Sequence, residues 1–151
     1  MAALWRGIVT DSAAAAMPAF FPRSAYLQAK QIADASADYQ NRLLAAFKAD
    51  IHAAHTLLGT QAGKPKLLDV LVPKEWAWIP PGACYNRIGY WHAPGARLVY
   101  RERGQVRSFG IFSLISWRAE WYVVHLAAFD HPGTVDAPSL GVGAYGAPGG
   151  C

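Results

Sequence analysis

Residues 97–127 read RLVYRERGQVRSFGIFSLISWRAEWYVVHLA, and apolar and polar side chains alternate along much of this run. Two breaks divide it, at Arg103-Gly104 and at Arg118-Ala119. A period of two residues is typical of β-strands, and a two-residue break is typical of a tight hairpin turn. The pattern therefore predicts an antiparallel meander of three strands, over residues 97–102, 105–117 and 120–127.

Extended segments also precede this meander. Proline and glycine mark their ends, because proline cannot donate to a strand ladder and a Pro-Gly pair favours a turn. The predicted strands are Lys66 to Val72, an edge piece from Glu75 to Ile79, and Tyr85 to His92, followed by a type II turn at Ala93-Pro94-Gly95-Ala96.

The first 58 residues show the three-to-four-residue apolar spacing of amphipathic helices. The clearest helix is predicted from about Ala37 to Leu58, with Asp34 or Ser36 as its N-cap and Gly59 as its stop. Shorter helices are predicted around Leu4 to Val9, after the Asp11-Ser12 cap, and from Ser24 to Ile32.

The change of period between residues 59 and 66 predicts the fold class. We expect an α+β domain over residues 1–129, in which N-terminal helices pack on a curved antiparallel β-sheet. Residues 130–151 are rich in glycine and proline and are predicted to form an extended or poorly ordered tail.

If Glu102 faces Gln105 and Trp117 faces Glu120, the period of two sorts the meander into two faces. The first face, predicted to meet the long helix, carries Leu98, Tyr100, Phe109, Ile111, Ile115, Tyr122, Val124 and Leu126. The second face carries Arg97, Val99, Arg101, Val106, Ser108, Phe112, Leu114, Ser116, Trp121, Val123 and His125. It is too apolar for water, which predicts either a homodimer through this face or a cover made by the tail or by Trp76 and Trp78.

Charge and hydropathy exclude two classes of partner. The formal charge of +4 is a mild bias with no nucleic-acid reading motif, so nucleic acid is not expected to bind. No apolar run approaches the roughly 18 residues that a membrane span needs. The helical pattern starts at Ala2 with no lead-in, as it would in a mature domain whose targeting segment had been removed.

The chain has two cysteines, Cys84 and Cys151, whose state indicates the cellular compartment of the protein. Cys151, at the end of a Gly/Pro-rich tail, favours a disulfide with Cys84 and hence an extracytoplasmic or cell-envelope location. Two free thiols in a cytoplasmic protein are the alternative. Neither cysteine has a partner at metal-ligand spacing, so no metal site is predicted.

Three segments carry a resemblance to NTF2-like (SnoaL-like) domains. Leu4-Trp5-Arg6-Gly7-Ile8-Val9, Phe20-Phe21-Pro22 and the run from Trp117 to Val124 are similar to the opening helix, the aromatic segment after it and the last hairpin of that family. The resemblance implies a cone of helices on a curved sheet. It implies no single reaction, because the family includes isomerases, hydrolases and dehydratases as well as binding modules, and its enzymes use an Asp, His or Tyr inside the cone. The chain also resembles exported actinobacterial proteins of unknown role.

His92 is the leading candidate for chemistry, because imidazole titrates near neutral pH and aromatic neighbours can hold a flat ligand. The catalytic candidates are His92, Tyr90 and Asp50, and the ligand-binding candidates are Tyr85, Tyr90, Trp91, His92 and Trp78. The alternative is that these aromatic rings belong to the core. His52 and His55 lack a third ligand, and Ser113 and Ser116 lack a nucleophile elbow, so metal binding and serine catalysis are not predicted.

The missing reaction motif and the apolar second face favour a non-catalytic binding or accessory module without a cofactor. Its expected ligand is a protein partner or a small apolar molecule. The alternative is a small cofactor-free enzyme of the isomerase, hydrolase or dehydratase type, in which His92 or an aspartate acts with Tyr85 or Tyr90.

Overall fold

The computed structural model describes residues 1–58, 65–127, 131–135 and 139–140. Helices occupy the first part of the chain and an antiparallel sheet the second, as the change of period predicts. The α+β prediction is therefore confirmed. None of the described helices is long and apolar enough to cross a membrane.

The helical layer consists of short segments that follow one another closely. Their bounds are α1 Ala2–Val9, α2 Ala13–Ala16, a 3₁₀ turn Met17–Ala19, α3 Arg23–Ala29, α4 Ala35–Asp38, a π-helical turn Tyr39–Leu44 and α5 Ala45–Leu58. The last three are contiguous and form the long predicted helix. A π turn inside an α-helix is rare and often marks a functional site.

The long helix begins at Ala35, slightly before the predicted Ala37, because Asp34 and not Ser36 is its N-cap. Asp34 Oδ1 accepts a hydrogen bond from the Ala37 N–H at 2.8 Å. The predicted stop at Gly59 lies outside the described residues.

Of the shorter helices, α2 has the predicted N-cap, whereas α3 ends before the predicted residue. Ser12 caps α2 as predicted, since its Oγ accepts from a first-turn N–H at 3.2 Å. By contrast, α3 ends at Ala29 and not at the predicted Ile32. The chain turns extended at Lys30, which pairs with Asn86 in an isolated antiparallel bridge.

The sheet is built on two long strands, β3 and β4, each with short strands on its outer edge. The bounds are β1 Lys66–Leu71, β2 Ala77–Ile79, β3 Tyr90–Glu102, β4 Gln105–Trp117, β5 Glu120–His125 and β6 Ser139–Leu140. β1 and β2 pair with β3, β3 pairs with β4, and β5 and β6 pair with β4, all antiparallel. Among the described strands the sheet is not closed, and the cone implied by the resemblance stays a prediction.

The type II turn predicted at residues 93–96 is wrong, because Pro94 and Gly95 lie inside β3. β2 pairs with residues 90–92 and β1 with residues 97–101, so the described chain leaves a gap between them on this edge of β3. A proline, which has no N–H to donate, and a glycine with a φ of 71° fit this gap. One strand therefore replaces the two that the sequence pattern predicts.

Both predicted hairpin turns are confirmed. The paired ends are Glu102 with Gln105 and Trp117 with Glu120. All four central residues, Arg103, Gly104, Arg118 and Ala119, have positive φ. This backbone conformation matches the right-handed twist of the flanking strands.

The turn between β4 and β5 is strained, because Arg118 and Ala119 have φ angles of 51° and 64°. The left-handed region costs a non-glycine residue about 1 kcal/mol. The double substitution Arg118→Asn/Ala119→Gly is expected to raise the free energy of unfolding by about 1 kcal/mol in urea denaturation. Arg103→Asn is the control, with a smaller expected gain because its turn already contains Gly104. A loss of stability in the double variant would contradict this account.

Aromatic contacts join the helical layer to the first face of the sheet. The ring centroids of Trp5 on α1 and Tyr100 on β3 are 5.5 Å apart. Those of Phe21 and Tyr122 on β5 are 6.1 Å apart. The fully buried side chains of this face include Leu98, Tyr100, Phe109 and Ile111. The face predicted to meet the helices therefore does so.

The second face is buried in part and aromatic at one end. Its buried residues include Val99, Ser108, Leu114 and Val123. At the aromatic end, Trp76 packs on Trp121 and Trp78 on Trp91, with ring centroids 5.3 Å and 5.4 Å apart. We call these four residues the tryptophan patch. Trp76 covers part of the face, as the second alternative predicts, yet three of the four rings are about half exposed.

Part of the predicted tail packs on the domain. Val135 is buried, and β6 pairs with β4 at Arg107 and Ser108. Most of the remainder, including Cys151, lies outside the described residues, so the predicted disorder and the boundary after residue 129 stay predictions.

Candidate functional site

A cavity of about 100 Å³ lies between the helices and the first face of the sheet. This volume is that of about three water molecules or one small organic molecule. The polar side chains on its wall are Tyr26, Lys30, Arg42, Tyr90, His92, Ser113 and His125. Most of the other lining residues are apolar, so polar and apolar side chains share the wall about equally.

A hydrogen-bonded triad lies on the helical side of the cavity, and two of its members, Tyr26 and Arg42, line the wall. Tyr26 donates its hydroxyl proton to Asp38. Arg42, on the π turn, donates to Asp38 at 2.7 and 2.8 Å and to the Tyr26 hydroxyl at 2.9 Å. The hydrogen bond from Arg42 is the main cause that lowers the pKa of Asp38, and burial raises the pKa of Tyr26. The charge of Arg42 is therefore balanced within the triad.

Lys30 lies on the same wall, immediately after α3. Its Nζ donates to the Cys84 carbonyl at 2.9 Å and to Asn86 Oδ1 at 2.8 Å. The same atom is 5.7 Å from the centroid of the Tyr90 ring. Burial, with a smaller effect of the charge on Arg42, lowers the pKa of Lys30 to about 8. The ammonium group is thus still mainly protonated at neutral pH, and its partners are neutral.

Two histidines and a serine form the sheet side. His92 Nε2 on β3 is 2.9 Å from Ser113 Oγ on β4, and Ser113 is paired across the sheet with His125 on β5. Burial lowers the pKa of His92. Burial and the charge of Arg42 together lower the pKa of His125 to about 4. Both imidazoles are therefore neutral at pH 7 and can accept a proton.

The position of His125 corrects the sequence prediction, which places it on the second face. Leu114 pairs with Val123, whereas Ser113 pairs with His125, so the register shifts by one residue. Val124 is the extra residue of a β-bulge, and it moves His125 to the first face. Nothing in the apolar alternation signals this bulge.

Exposure distinguishes the outer end of the cavity from the inner end. The Arg42 side chain is 47% exposed. His92, Ser113 and His125 are 5%, 8% and 7% exposed. A ligand that enters past Arg42 would therefore meet the two histidines at the inner end.

The predicted site residues are divided between two places. Tyr90 and His92 line the cavity, and their roles in binding or catalysis stay predictions. Trp78 and Trp91 lie in the tryptophan patch, and Tyr85 is 75% exposed and is not part of the cavity wall. The structure thus does not bring these three rings into one site with His92.

Asp50 also lies outside the cavity wall. Its Oδ2 accepts hydrogen bonds from the backbone N–H groups of Leu126 at 3.0 Å and Ala127 at 3.3 Å. Its Oδ1 accepts from the Gly133 N–H at 2.7 Å. Burial raises the pKa of Asp50, and the three donors offset part of that rise. These contacts indicate a structural role for Asp50, and its assignment as a catalytic candidate stays a prediction.

The described residues contain no group of three His, Cys, Asp or Glu side chains placed to hold a metal ion. The two histidines of α5 contact α1 and its following turn instead. His52 Nδ1 is 2.9 Å from Asp11 Oδ2, and His55 Nδ1 is 2.9 Å from the Ile8 carbonyl.

Sequence analysis missed the helical side of the cavity. Tyr26 and Lys30 are four residues apart, and so are Asp38 and Arg42, a spacing that puts each pair on one side of a helix. This spacing is the one signal that we find in the sequence. It does not reveal that the two pairs lie together opposite β3.

Comparison with known protein families, curated proteins and solved structures finds no significant match. The chain is therefore classified by its fold and its cavity. The chain is an α+β protein in which a small cavity with polar groups lies between a helical layer and an open antiparallel sheet.

Proposed function

We propose that the chain is a non-catalytic, NTF2-like binding module that holds a small, largely apolar ligand between its helices and its sheet. The cavity carries this proposal, because a concave site with apolar walls and a few polar groups is the usual form of a small-molecule site. Phe21, Leu43, Ile79 and Ile115 supply apolar wall. Most of the polar groups are already bonded to one another, which favours holding a ligand over transforming it.

The substitution Ile79→Trp tests this proposal. A larger side chain at this half-buried position of β2 is expected to fill part of the cavity and to weaken binding of small organic probes at least about tenfold. Binding is measured by NMR titration, followed on the methyl groups of Ile115 and Val124. The control is Ile88→Trp, since Ile88 is exposed and outside the wall. Equal binding by both variants would show that the probes do not occupy the cavity.

The contact between His92 Nε2 and Ser113 Oγ supports a second function, a small cofactor-free acid–base enzyme. A neutral imidazole beside a hydroxyl group can take up the hydroxyl proton and then donate that proton to a leaving group. Burial raises the pKa of Tyr90, so its hydroxyl stays a hydrogen-bond donor. In this alternative His92 is the base and Tyr90 the donor, and Asp50 has no part.

Hydrolysis of activated esters tests the enzyme alternative. If His92 is a general base, His92→Gln is expected to lower turnover by about 100-fold. His52→Gln, a change at an exposed histidine, controls for surface imidazole. A rate that His92→Gln and His52→Gln reduce equally would exclude a site at His92.

For the protein partner, we propose a second copy of the chain docked on the tryptophan patch. The two tryptophan pairs are adjacent on the sheet. Ser116 Oγ accepts a hydrogen bond from the backbone N–H of Trp91 at 3.0 Å. Ser116 is also paired with Trp121 across β4 and β5. Half-exposed tryptophans in contact are typical of interface centres. Light scattering after size exclusion is expected to give a dimer that becomes monomeric in Trp78→Ser/Trp91→Ser. A wild-type monomer at high concentration would remove this proposal.

We also keep the Cys84–Cys151 disulfide and the extracytoplasmic location as proposals. Cys84 lines the cavity, so a bridge there would tie the end of the chain beside the ligand site. Intact mass with and without reductant tests the bond. Two free thiols in native material would favour the cytoplasm instead.

A further inference from the structure

The two cations on the cavity wall differ in their surroundings. Arg42 is paired with Asp38, at 2.7 Å between Nη2 and Oδ2. Lys30 forms no ion pair with any carboxylate of the described chain. Among the described residues, no aspartate or glutamate lines the cavity. The wall therefore carries one positive charge, that of Lys30, with which no carboxylate of the described residues forms an ion pair.

The ammonium group of Lys30 is held in place by neutral partners. The Cys84 carbonyl and Asn86 Oδ1 accept two of its protons, and an ammonium has three to donate. The Tyr90 ring adds a weak attraction. The group is thus positioned in the wall with donor capacity left for a ligand.

Burial makes this arrangement costly without an anion. A partly buried ammonium loses hydration that neutral hydrogen bonds replace only in part. The pKa of Lys30, lowered to about 8 chiefly by burial and then by Arg42, reports that cost. A bound anion would supply the missing charge, because opposite charges attract most strongly where water is excluded.

The rest of the wall restricts the size and polarity of such an anion. The apolar residues Phe21, Leu43 and Ile115 suit a short hydrocarbon body. The cavity of about 100 Å³ excludes a large molecule from full burial. One unbalanced charge calls for one negative charge on the ligand.

We propose that this cavity selects small organic monoanions, such as short-chain carboxylates, and that Lys30 pairs with the carboxylate while the apolar wall covers the hydrocarbon. This inference rests on the proposed function and names its ligand class. Lys30 is a specificity-determining residue, and Tyr26, Asp38 and Arg42 form a neutral frame beside it.

The test compares butyrate with 1-butanol and butylamine in NMR titrations of the full chain. We expect butyrate to bind at least about tenfold more tightly than 1-butanol, the gain typical of a charge-assisted hydrogen bond. Lys30→Met is expected to remove that preference, so that butyrate binds this variant no more tightly than 1-butanol does. The control is Lys48→Met, because Lys48 is exposed on α5 and not in the wall.

A measurement on the unaltered protein guards against a variant that fails to fold. Butyrate affinity is expected to fall as the pH rises from 7 to 9, because Lys30 loses its proton, whereas 1-butanol affinity stays constant. Asp38, Tyr26, Tyr90 and Arg42 keep their charge states in that range, given the directions of their pKa shifts.

The outcomes separate the two proposals. If 1-butanol binds as tightly as butyrate, or if Lys30→Met keeps the preference for butyrate, the anion inference is overturned and the cavity remains a site for neutral apolar ligands. If none of the three probes shifts the resonances of Ile115 and Val124, the proposed function fails as well.

Discussion

Replacement of Asp50 by alanine is expected to lower the free energy of unfolding by about 3–5 kcal/mol. Its carboxylate accepts from three backbone N–H groups, those of Leu126, Ala127 and Gly133. The first two belong to buried residues, and each buried donor left without an acceptor costs about 1–3 kcal/mol. Urea denaturation followed by tryptophan fluorescence measures the change.

Two further substitutions separate hydrogen bonding from the loss of a charge. Asp50→Asn keeps the shape and one acceptor oxygen, so we expect an intermediate loss of about 2 kcal/mol. Asp69→Ala removes an exposed carboxylate on β1 and is expected to change stability by less than about 1 kcal/mol. An Asp50→Ala variant within about 1 kcal/mol of the native protein would mean that the three N–H groups find other acceptors.

Acidification from pH 7 to pH 4 is expected to remove about 3 kcal/mol of stability through His125. The folded protein holds this imidazole neutral, with its pKa lowered to about 4 by burial and by the charge of Arg42. In the unfolded chain a histidine titrates near pH 6.5. The stability gained from the neutral ring is therefore complete above about pH 6.5 and is lost as the pH falls towards 4. The pH dependence of urea midpoints measures it.

Neighbouring groups add to this effect or oppose it. His92 and Asp38 act in the same direction as His125. Burial lowers the pKa of His92 and Arg42 lowers the pKa of Asp38, so the folded protein loses stability as the pH falls and these groups take up protons. Asp50 opposes them, because burial raises its pKa. His125→Gln should therefore flatten the profile without abolishing it. An NMR titration that places the His125 pKa near 6.5 would refute this explanation.

The local pattern predicts the meander well because its determinants are local. The turns at Arg103-Gly104 and Arg118-Ala119 set the ends of β4, and the period of two sets the first face. The same rules fail at Pro94-Gly95, since a Pro-Gly pair is a turn signal only where neighbouring strands leave no suitable gap. That gap depends on how β1 and β2 align along β3, which no short window of sequence records.

The cavity is less predictable than the sheet. His92 and Tyr90 are found by their own chemistry and their position in a strand. Lys30, immediately after α3, and Arg42, on the π turn, are far from β3 in the chain, and only tertiary packing places them opposite the sheet. The Trp78 and Trp91 rings are correctly recognised as unusual, but strand parity places them on the second face.

The extra residue at Val124 decides which face of the sheet the imidazole of residue 125 occupies, because the same chain paired without a bulge would place it opposite Phe112 on the second face. Loss of the Val124 codon would restore an uninterrupted ladder, in which the imidazole of residue 125 follows Val123 directly and stays opposite Ser113. Every other amino acid would be retained. An in-frame deletion of Val124 is therefore expected to keep the imidazole in the cavity and to remove only the Val124 side chain from the wall.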